Sequence, residues 1–213
     1  MTLIEKATIM HYHRHRMEVC GHGTARALGW RDDEHQRKRF EVLATVADLT
    51  GCEVLDVGCG YGDLKGYLDH RFTGITYIGI DQQPEYIVEA QARYGNRADT
   101  FFFRRDFTTL TFPDVDVVVA SGALSYRCGD PGFYRHMIEK MYNAARRAVA
   151  FNVLDVNVFP THPLLVGLDP KHVTDWCTAL TSHVKVIRGY LEDDVTLFLY
   201  KGEPDPEGED RGM

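Results

Sequence analysis

Residues Val54 to Gly62 read Val-Leu-Asp-Val-Gly-Cys-Gly-Tyr-Gly, an apolar run that ends in three glycines at alternate positions. A glycine loop at the carboxyl end of a first parallel strand lets the backbone come close to a ligand, because no Cβ stands in the way. The next apolar stretch, Tyr77–Ile80, is closed by a lone carboxylate, Asp81. A carboxylate at the end of a second strand stands where it can accept both hydroxyls of a ribose. Together the two features imply an open α/β sheet that binds an adenosine-containing ligand.

The rest of the chain continues the pattern. From Val54 onward apolar strands alternate with amphipathic segments, as in a parallel sheet with right-handed crossovers. Strands are predicted near Glu53–Val57, Tyr77–Ile80, Phe101–Arg104, Val115–Ala120, Ala148–Val153, Val184–Tyr190 and Val195–Tyr200, and helices near Asp63–Asp69, Pro84–Tyr94, Gly132–Ala145 and Pro170–Ser182. Pro84 suits the first turn of its helix, as Asp169-Pro170 suits the start of the last one. The last two strands are joined by Leu191-Glu192-Asp193-Asp194, too short for a crossover helix, and are expected to form an antiparallel hairpin. The fold class is therefore α/β, a doubly wound and mostly parallel seven-stranded sheet with an antiparallel C-terminal hairpin strand. A chain of 213 residues suits one such domain. Its expected limits are residues 50–201, with an N-terminal helical lid over 1–49 and a polar tail over 202–213 whose composition is that of a disordered segment. Within the lid, Phe40, Leu43, Val46, Ala47 and Leu49 form an apolar stripe. Ligands in such folds bind beyond the carboxyl ends of the strands, so the lid can cover that mouth, together with the loop Asp155 to Asp169.

The spacing of the glycines selects among adenosine ligands. A dinucleotide fingerprint is Gly-x-Gly-x-x-Gly opening a helix whose N–H groups hold a pyrophosphate. Here one residue separates each glycine from the next, Asp56 precedes the loop, and Asp63 stands where the following helix starts, as a natural N-cap. A phosphate would have to displace Asp63 and would feel its charge. S-adenosylmethionine has no phosphate and carries a net positive charge, so carboxylates around the loop favour it. Gly58, Gly60 and Gly62 would meet its methionine part, Asp56 would organise the turn or reach the ammonium, and Asp81 would hold the ribose. For the ligand's carboxylate, the stretch Gln36-Arg37-Lys38-Arg39-Phe40 offers Arg39, whose guanidinium can grip it through two parallel hydrogen bonds.

Four blocks carry a resemblance to a known family: Leu55-Asp56-Val57-Gly58-Cys59-Gly60-Tyr61-Gly62, Tyr77-Ile78-Gly79-Ile80-Asp81, Arg105-Asp106-Phe107, and Asp116-Val117-Val118-Val119-Ala120-Ser121-Gly122-Ala123-Leu124. In order and spacing the chain resembles the class I S-adenosylmethionine-dependent methyltransferases over about Thr50 to Lys201. The resemblance implies that sheet arrangement, that cofactor and that activity. It also implies that Gln82 flanks the adenine, that Asp106 accepts from the adenine amino group while the Phe107 N–H meets a ring nitrogen, and that Ser121, Gly122 and Ala123 lie where cofactor and acceptor meet, with Leu124 packing on the cofactor.

Composition narrows the acceptor and the setting. A formal charge of −7 argues against a basic groove for nucleic acid. No N-terminal apolar core of a signal peptide and no run of the roughly 18 apolar residues needed for a membrane span is present. The five scattered cysteines form no Cys-x-x-Cys, so a reduced, cytoplasmic setting is expected. The alternating histidines His11, His13 and His15, with Cys20 and His22 nearby, lack the spacing of a zinc site, and no metal is expected. The lid and the Asp155–Asp169 loop leave room for a small-molecule acceptor. Methyl transfer from a sulfonium needs alignment and exclusion of water more than a catalytic dyad. Tyr12 and His162 are the candidates for taking a proton or orienting an acceptor, with His11, His13, Tyr126 and Tyr134 also able to lie near the mouth. Asn-Pro-Pro-Tyr, frequent after the fourth strand in members of the family that modify adenine or glutamine nitrogens, is replaced by Ser121-Gly122-Ala123-Leu124. Two competing readings stand beside methyl transfer: a non-catalytic protein that senses or scaffolds the same cofactor, and a nicotinamide oxidoreductase. Nothing in the sequence fixes the oligomeric state.

Overall fold

A computed structural model describes residues 1–203. The expected tail over 202–213 therefore falls, from residue 204 on, outside the described residues. In chain order the elements are α1 (Leu3–Cys20), α2 (Asp33–Leu43), β1 (Glu53–Val57), α3 (Asp63–Asp69), β2 (Thr76–Asp81), α4 (Pro84–Tyr94), β3 (Thr100–Arg104), β4 (Val115–Ala120), α5 (Phe133–Ala144), β5 (Ala145–Asp155), β6 (Gly167–Leu168), α6 (Pro170–Thr178), β7 (Val184–Ile187) and β8 (Asp194–Tyr200). The sheet runs in the order β3-β2-β1-β4-β5-β8-β7, with β6 adding a two-residue pairing beside β5. Strands β3 to β5 along this order are parallel, and β8 is antiparallel to both its neighbours. The chain thus has the mostly parallel sheet with an antiparallel terminal hairpin that the alternation predicts.

Burial explains why these strands read as near-continuous apolar runs. Val54, Leu55 and Val57 of β1 and every residue of β8 are buried, because helices cover both faces of the sheet. One face packs on α5 and α6 through Met137, Ile138, Met141, Val173 and Cys177. The other packs on α2, α3 and α4 through Phe40, Leu43, Leu64, Leu68 and Ile87. Each fully buried Leu, Val or Phe in these layers stabilises the fold by roughly 1.5–3 kcal/mol. The strand order reverses between β1 and β4, and the crevice above that switch point is where such sheets receive ligands.

Two boundaries differ from the sequence reading. Strand β7 stops at Ile187 instead of running to Tyr190, because Gly189 takes a φ of 83° and turns the chain; the hairpin connection is accordingly longer than Leu191 to Asp194. Helix α6 ends at Thr178, with Ala179 as its C-cap, short of Ser182. The N-terminal segment, expected to be a helical lid, is helical in both halves. Its stripe splits: Phe40 and Leu43 lie on α2, Val46 and Leu49 on the irregular stretch after it, and all four belong to the core under the sheet. Material from α1, residues 21–32 and the α2 face carrying His35, Gln36, Arg39 and Phe40 reaches over the strand ends.

Helix α1 starts with a capping box in which Thr2 Oγ1 accepts from the Glu5 N–H and Glu5 accepts from the Thr2 N–H. Its buried face is one residue wide, Ile9, His13 and Met17. Polar ties supplement so narrow a contact: Lys6 Nζ lies 2.6 Å from Asp106 beyond β3, Glu5 accepts from the Gly129 N–H, and Arg14 lies 2.8 Å from Glu85 on α4. Among the described residues no helix is long and apolar enough to cross a membrane, and no group of three or more His, Cys, Asp or Glu could hold a metal. The five cysteines are free thiols.

Candidate functional site

A cavity of about 580 Å³ lies beyond the carboxyl ends of β1, β2 and β4 and beneath the N-terminal segment. The glycine turn forms its floor. Gly58 (φ 78°) faces Ala123 so closely that an added Cβ would stand 2.9 Å from the Ala123 Cβ, and Gly60 (φ 55°) is packed by Leu28. The turn's own N–H groups point into the protein. Those of Gly58 and Cys59 donate to the Ile80 carbonyl, that of Gly60 to Asp81, and that of Gly62 to the Cys59 carbonyl. A pyrophosphate loop needs such donors directed at the ligand. Here they close the turn instead.

Asp63 does not cap α3 as the sequence suggests. Gly62, in a left-handed conformation, is the N-cap, and Asp63 occupies the first helical position with its carboxylate held by Arg93 (2.8 Å) and Gln36 (3.1 Å). The negative charge still stands at the helix start. Gly62 itself is packed under Phe102 and lies off the cavity wall, so its glycine is required by packing and φ rather than by a ligand.

Two buried carboxylates stand on the wall. Asp56 accepts from the Tyr77 hydroxyl through one oxygen, and its Oδ1 has no partner. Burial pushes its carboxyl up to about 7, with the Tyr77 hydrogen bond opposing and Asp81 and Asp63 adding repulsion. Asp81 accepts the Gln83 N–H at 2.8 Å on one oxygen and the Gly60 N–H at 3.1 Å on the other, which fixes the carboxylate plane and leaves a lone pair on each oxygen. Burial raises it to about 6 against those bonds. Three more polar atoms of wall residues, Ser121 Oγ, Gln83 Oε1 and Arg39 Nε, are buried without a partner. Orphaned groups of this kind cost free energy unless a ligand satisfies them.

Of the other expected contacts, Gln82, Phe107, Ser121, Gly122 and Ala123 line the cavity. Asp106 does not; its carboxylate is engaged by Lys6 and by the Thr108 N–H and hydroxyl. Leu124 is a core residue. Arg39 departs most from expectation. Its guanidinium is paired with the buried Asp194 of β8, donates to the His35 carbonyl, and stacks 4.4 Å over the Trp30 ring. Asp194 also accepts from Asn152 and Tyr190, and Asn152 Oδ1 accepts from the Gly122 N–H at 2.7 Å. Trp30 lies so close over Gly122 that an added Cβ would meet its ring at 2.4 Å. Arg39, Asp194, Asn152, Gly122 and Trp30 thus form a closed circuit locking residues 21–32 onto the sheet, while Arg39 also lines the cavity and keeps its Nε buried without a partner. Gly122→Ala is expected to cost about 1–2 kcal/mol through its φ of 74° alone and to displace Trp30. Chemical denaturation, and Trp30 emission in a Trp176→Phe background, measure the two effects.

The proton-transfer candidates separate as well. His162 stands off the cavity wall, with Nδ1 accepting the Leu164 and Leu165 N–H groups at 3.1 and 3.0 Å, so it shapes its loop. His11 is exposed, and the Tyr134 hydroxyl is spent between the Tyr126 carbonyl and the Cys128 N–H. Tyr12 lines the cavity, as do His13, Tyr86 and Tyr126. The His13 ring is hydrogen-bonded on both nitrogens, to Tyr86 at 2.7 Å and to Tyr126 at 2.6 Å. Sequence reasoning placed His13 and Tyr126 near the mouth without pairing them and missed Tyr86, Trp30, Asn152 and Asp194. The spacing of buried positions 9, 13 and 17 on α1 is the signal that singles out His13 among the alternating histidines.

Comparison with known proteins agrees with this geometry. Residues 54–152 match a family described as a methyltransferase domain. The chain is 35% identical over 104 residues to the inferred methyltransferase Rv1506c of Mycobacterium tuberculosis, covering 46% of this chain and 61% of that one. It is 39% identical over 75 residues to a fatty-acid O-methyltransferase of Mycolicibacterium smegmatis, covering 35% and 27% of the two chains. The chain therefore spans less than two thirds of the length of the curated relatives it matches. Among solved structures, magnesium protoporphyrin IX methyltransferase from Synechocystis PCC 6803 with bound S-adenosylhomocysteine superposes with a TM-score of 0.64 at 17% identity, over 79% of this chain and 84% of that one. That likeness is one of fold.

Proposed function

Starting from a chain that has the class I S-adenosylmethionine-dependent methyltransferase fold and whose residues 54–152 form a methyltransferase domain, we propose that the protein moves a methyl group from S-adenosylmethionine to an oxygen, nitrogen or carbon atom of a small molecule. The observation that carries this reading is the electrostatic character of the cavity floor. Two buried carboxylates, Asp56 and Asp81, frame a glycine turn whose N–H groups are self-satisfied, which suits a cation and offers a phosphate nothing. The unpartnered Asp56 Oδ1, Ser121 Oγ and Gln83 Oε1 are sites that a polar ligand would satisfy.

In this reading the free lone pairs of Asp81 accept the ribose hydroxyls, and Asp56 faces the ammonium. Gly58 and Gly60 admit the methionine chain, and Gln82 and Phe107 flank the base. Asp106 completes the base contact only by sharing its carboxylate with Lys6. Arg39 serves the frame around Trp30. When bound, the cofactor supplies an activated methyl group attached to a cationic sulfur. The chain's own part is to fix the line of attack and keep water out, which the N-terminal cap of α1 and residues 21–32 does by covering the mouth. The volume left under that cap suits a small acceptor, in keeping with relatives named for a fatty acid and for trans-aconitate. Free thiols and the absence of a spanning helix among the described residues fit a cytoplasmic setting.

Calorimetry with S-adenosylmethionine, S-adenosylhomocysteine and NADH tests the cofactor, and incubation with methyl-labelled donor across a metabolite panel tests transfer. Binding of both adenosyl compounds with transfer to a panel member is the expected result. Binding without transfer to any acceptor would favour a non-catalytic cofactor-binding protein, and clean titration by NADH alone would overturn the reading.

A further inference from the structure

The hydrogen bonds around His13 define a directed chain once their donors are counted. The Tyr86 hydroxyl has one proton and lies 3.0 Å from the Ala27 carbonyl, which can only accept. The proton can serve that carbonyl or His13 Nδ1, and giving it to Ala27 is the arrangement that leaves no buried carbonyl unpaired. The Tyr86 oxygen, 2.7 Å from His13 Nδ1, must then accept, so Nδ1 carries the imidazole proton. His13 Nε2 is left as an acceptor, and the Tyr126 hydroxyl at 2.6 Å donates to it. Tyr126 consequently turns its oxygen lone pairs, and not its proton, toward the cavity that it lines with Asp56, Gly58, Asp81 and Ser121.

We propose that Tyr126 is a catalytic residue that receives the acceptor's proton, with His13 acting through it as the proton sink and Tyr86 fixing the imidazole tautomer. The substrate class this defines is an acceptor whose X–H atom also carries a lone pair, a hydroxyl, phenol or amine, rather than a carboxylate that arrives already deprotonated. The proposal rests on the methyl-transfer reading above. In the step, a lone pair of X forms the X–C bond to the methyl carbon, and the C–S pair stays on the departing sulfur. The X–H proton passes to the Tyr126 oxygen as the Tyr126 proton passes to His13 Nε2. The positive charge lost at sulfur reappears as imidazolium, so the site's net charge is unchanged, and the proton leaves to solvent when the cavity opens.

The surroundings keep His13 ready for this role. Burial holds it down to about 4, with Arg16 on its own helix lowering it and the Ala27 carbonyl raising it. The other titratable groups facing it are Tyr12 on α1, Tyr86 on α4 and Tyr126 after β4, with Asp81 acting on both of the latter. At neutral pH the ring is a neutral acceptor. A base this weak still suffices, because an O–H or N–H group becomes strongly acidic as its lone pair is drawn into the new bond to carbon.

The test uses the full chain labelled with ¹⁵N-histidine. Nitrogen spectra are expected to show His13 as the Nδ1–H tautomer, neutral down to about pH 5, with its Nε2 signal moving in Tyr126→Phe. S-adenosylhomocysteine binding by calorimetry should stay within about 3-fold in Tyr126→Phe and Tyr86→Phe. Transfer to any hydroxyl, phenol or amine in the acceptor panel should fall on the order of 100-fold or more in Tyr126→Phe. A protonated Nε2, or transfer to such an acceptor undiminished in Tyr126→Phe, would overturn the proposal. If no panel member is methylated, the nitrogen spectrum alone decides, since the relay requires that one tautomer. Loss of adenosyl binding in the unsubstituted protein would instead sink the methyl-transfer reading on which the proposal rests.

Discussion

Asp81→Asn is expected to weaken binding of S-adenosylhomocysteine on the order of 100-fold, the loss of a charge-assisted hydrogen bond together with misdirection of an amide. Both Asp81 oxygens already hold backbone N–H groups, from Gln83 and Gly60, so an amide NH₂ would confront one of those donors wherever it points. The same carboxylate sets a pH dependence whose sign follows from its burial. Its folded value is raised to about 6, and that of Asp56 to about 7. Both therefore contribute stability to the free protein that is fully present below the ordinary carboxylate value near 4 and is lost as pH rises through about 6 and about 7. A cation that binds the ionised pair reverses this loss. Added S-adenosylmethionine should accordingly raise the melting temperature much more at about pH 8 than at about pH 5. Thermal scans at the two pH values check this, and an equal shift at both would count against ionised Asp56 and Asp81 as the cation's partners.

Arg39→Ala should destabilise the protein by about 3–5 kcal/mol, the usual cost of stripping one partner from a buried ion pair. Asp194 would be left inside the sheet with only the neutral donors Asn152 and Tyr190, and Trp30 would lose the guanidinium stacked on it. Replacing the pair together, Arg39→Met with Asp194→Leu, should restore much of that stability because no unpaired charge remains. Urea denaturation of the single and double variants measures both effects. Were Arg39 instead a ligand-gripping residue, the single variant would unfold near the unsubstituted midpoint and lose affinity only.

The sheet was legible because its information is local. Strand β1 with its glycines, Asp81 at the end of β2, and Pro84 and Pro170 opening α4 and α6 each announce an element within a few residues. Asp81 and the cavity-lining Gly58, Gly60, Gln82 and Ser121 follow from that framework, since the fold puts the carboxyl ends of β1, β2 and β4 together. What escaped depends on partners far along the chain. Arg39 looked available because Asp194 lies 155 residues away, and Asp106 looked free because Lys6 lies 100 residues before it. Helix α1 hid for another reason. It buries one residue per turn and owes its position to ion pairs and to His13, so no broad apolar stripe betrays it. His162 misled because a histidine next to a proline in a long loop resembles an active-site residue, while its ring serves two backbone amides.

The outward contacts of α1 are unlike the buried one at its middle. Lys6–Asp106 and Arg14–Glu85 sit at or near the protein surface, where an ion pair contributes 1 kcal/mol or less and mobile ions weaken it further. His13 is clamped between two phenols in the interior, beyond the reach of dissolved salt. The helix is therefore built to loosen outward from its salt-sensitive N-terminal turns while His13 holds, so opening over the cavity is expected to quicken with ionic strength before the interior is disturbed.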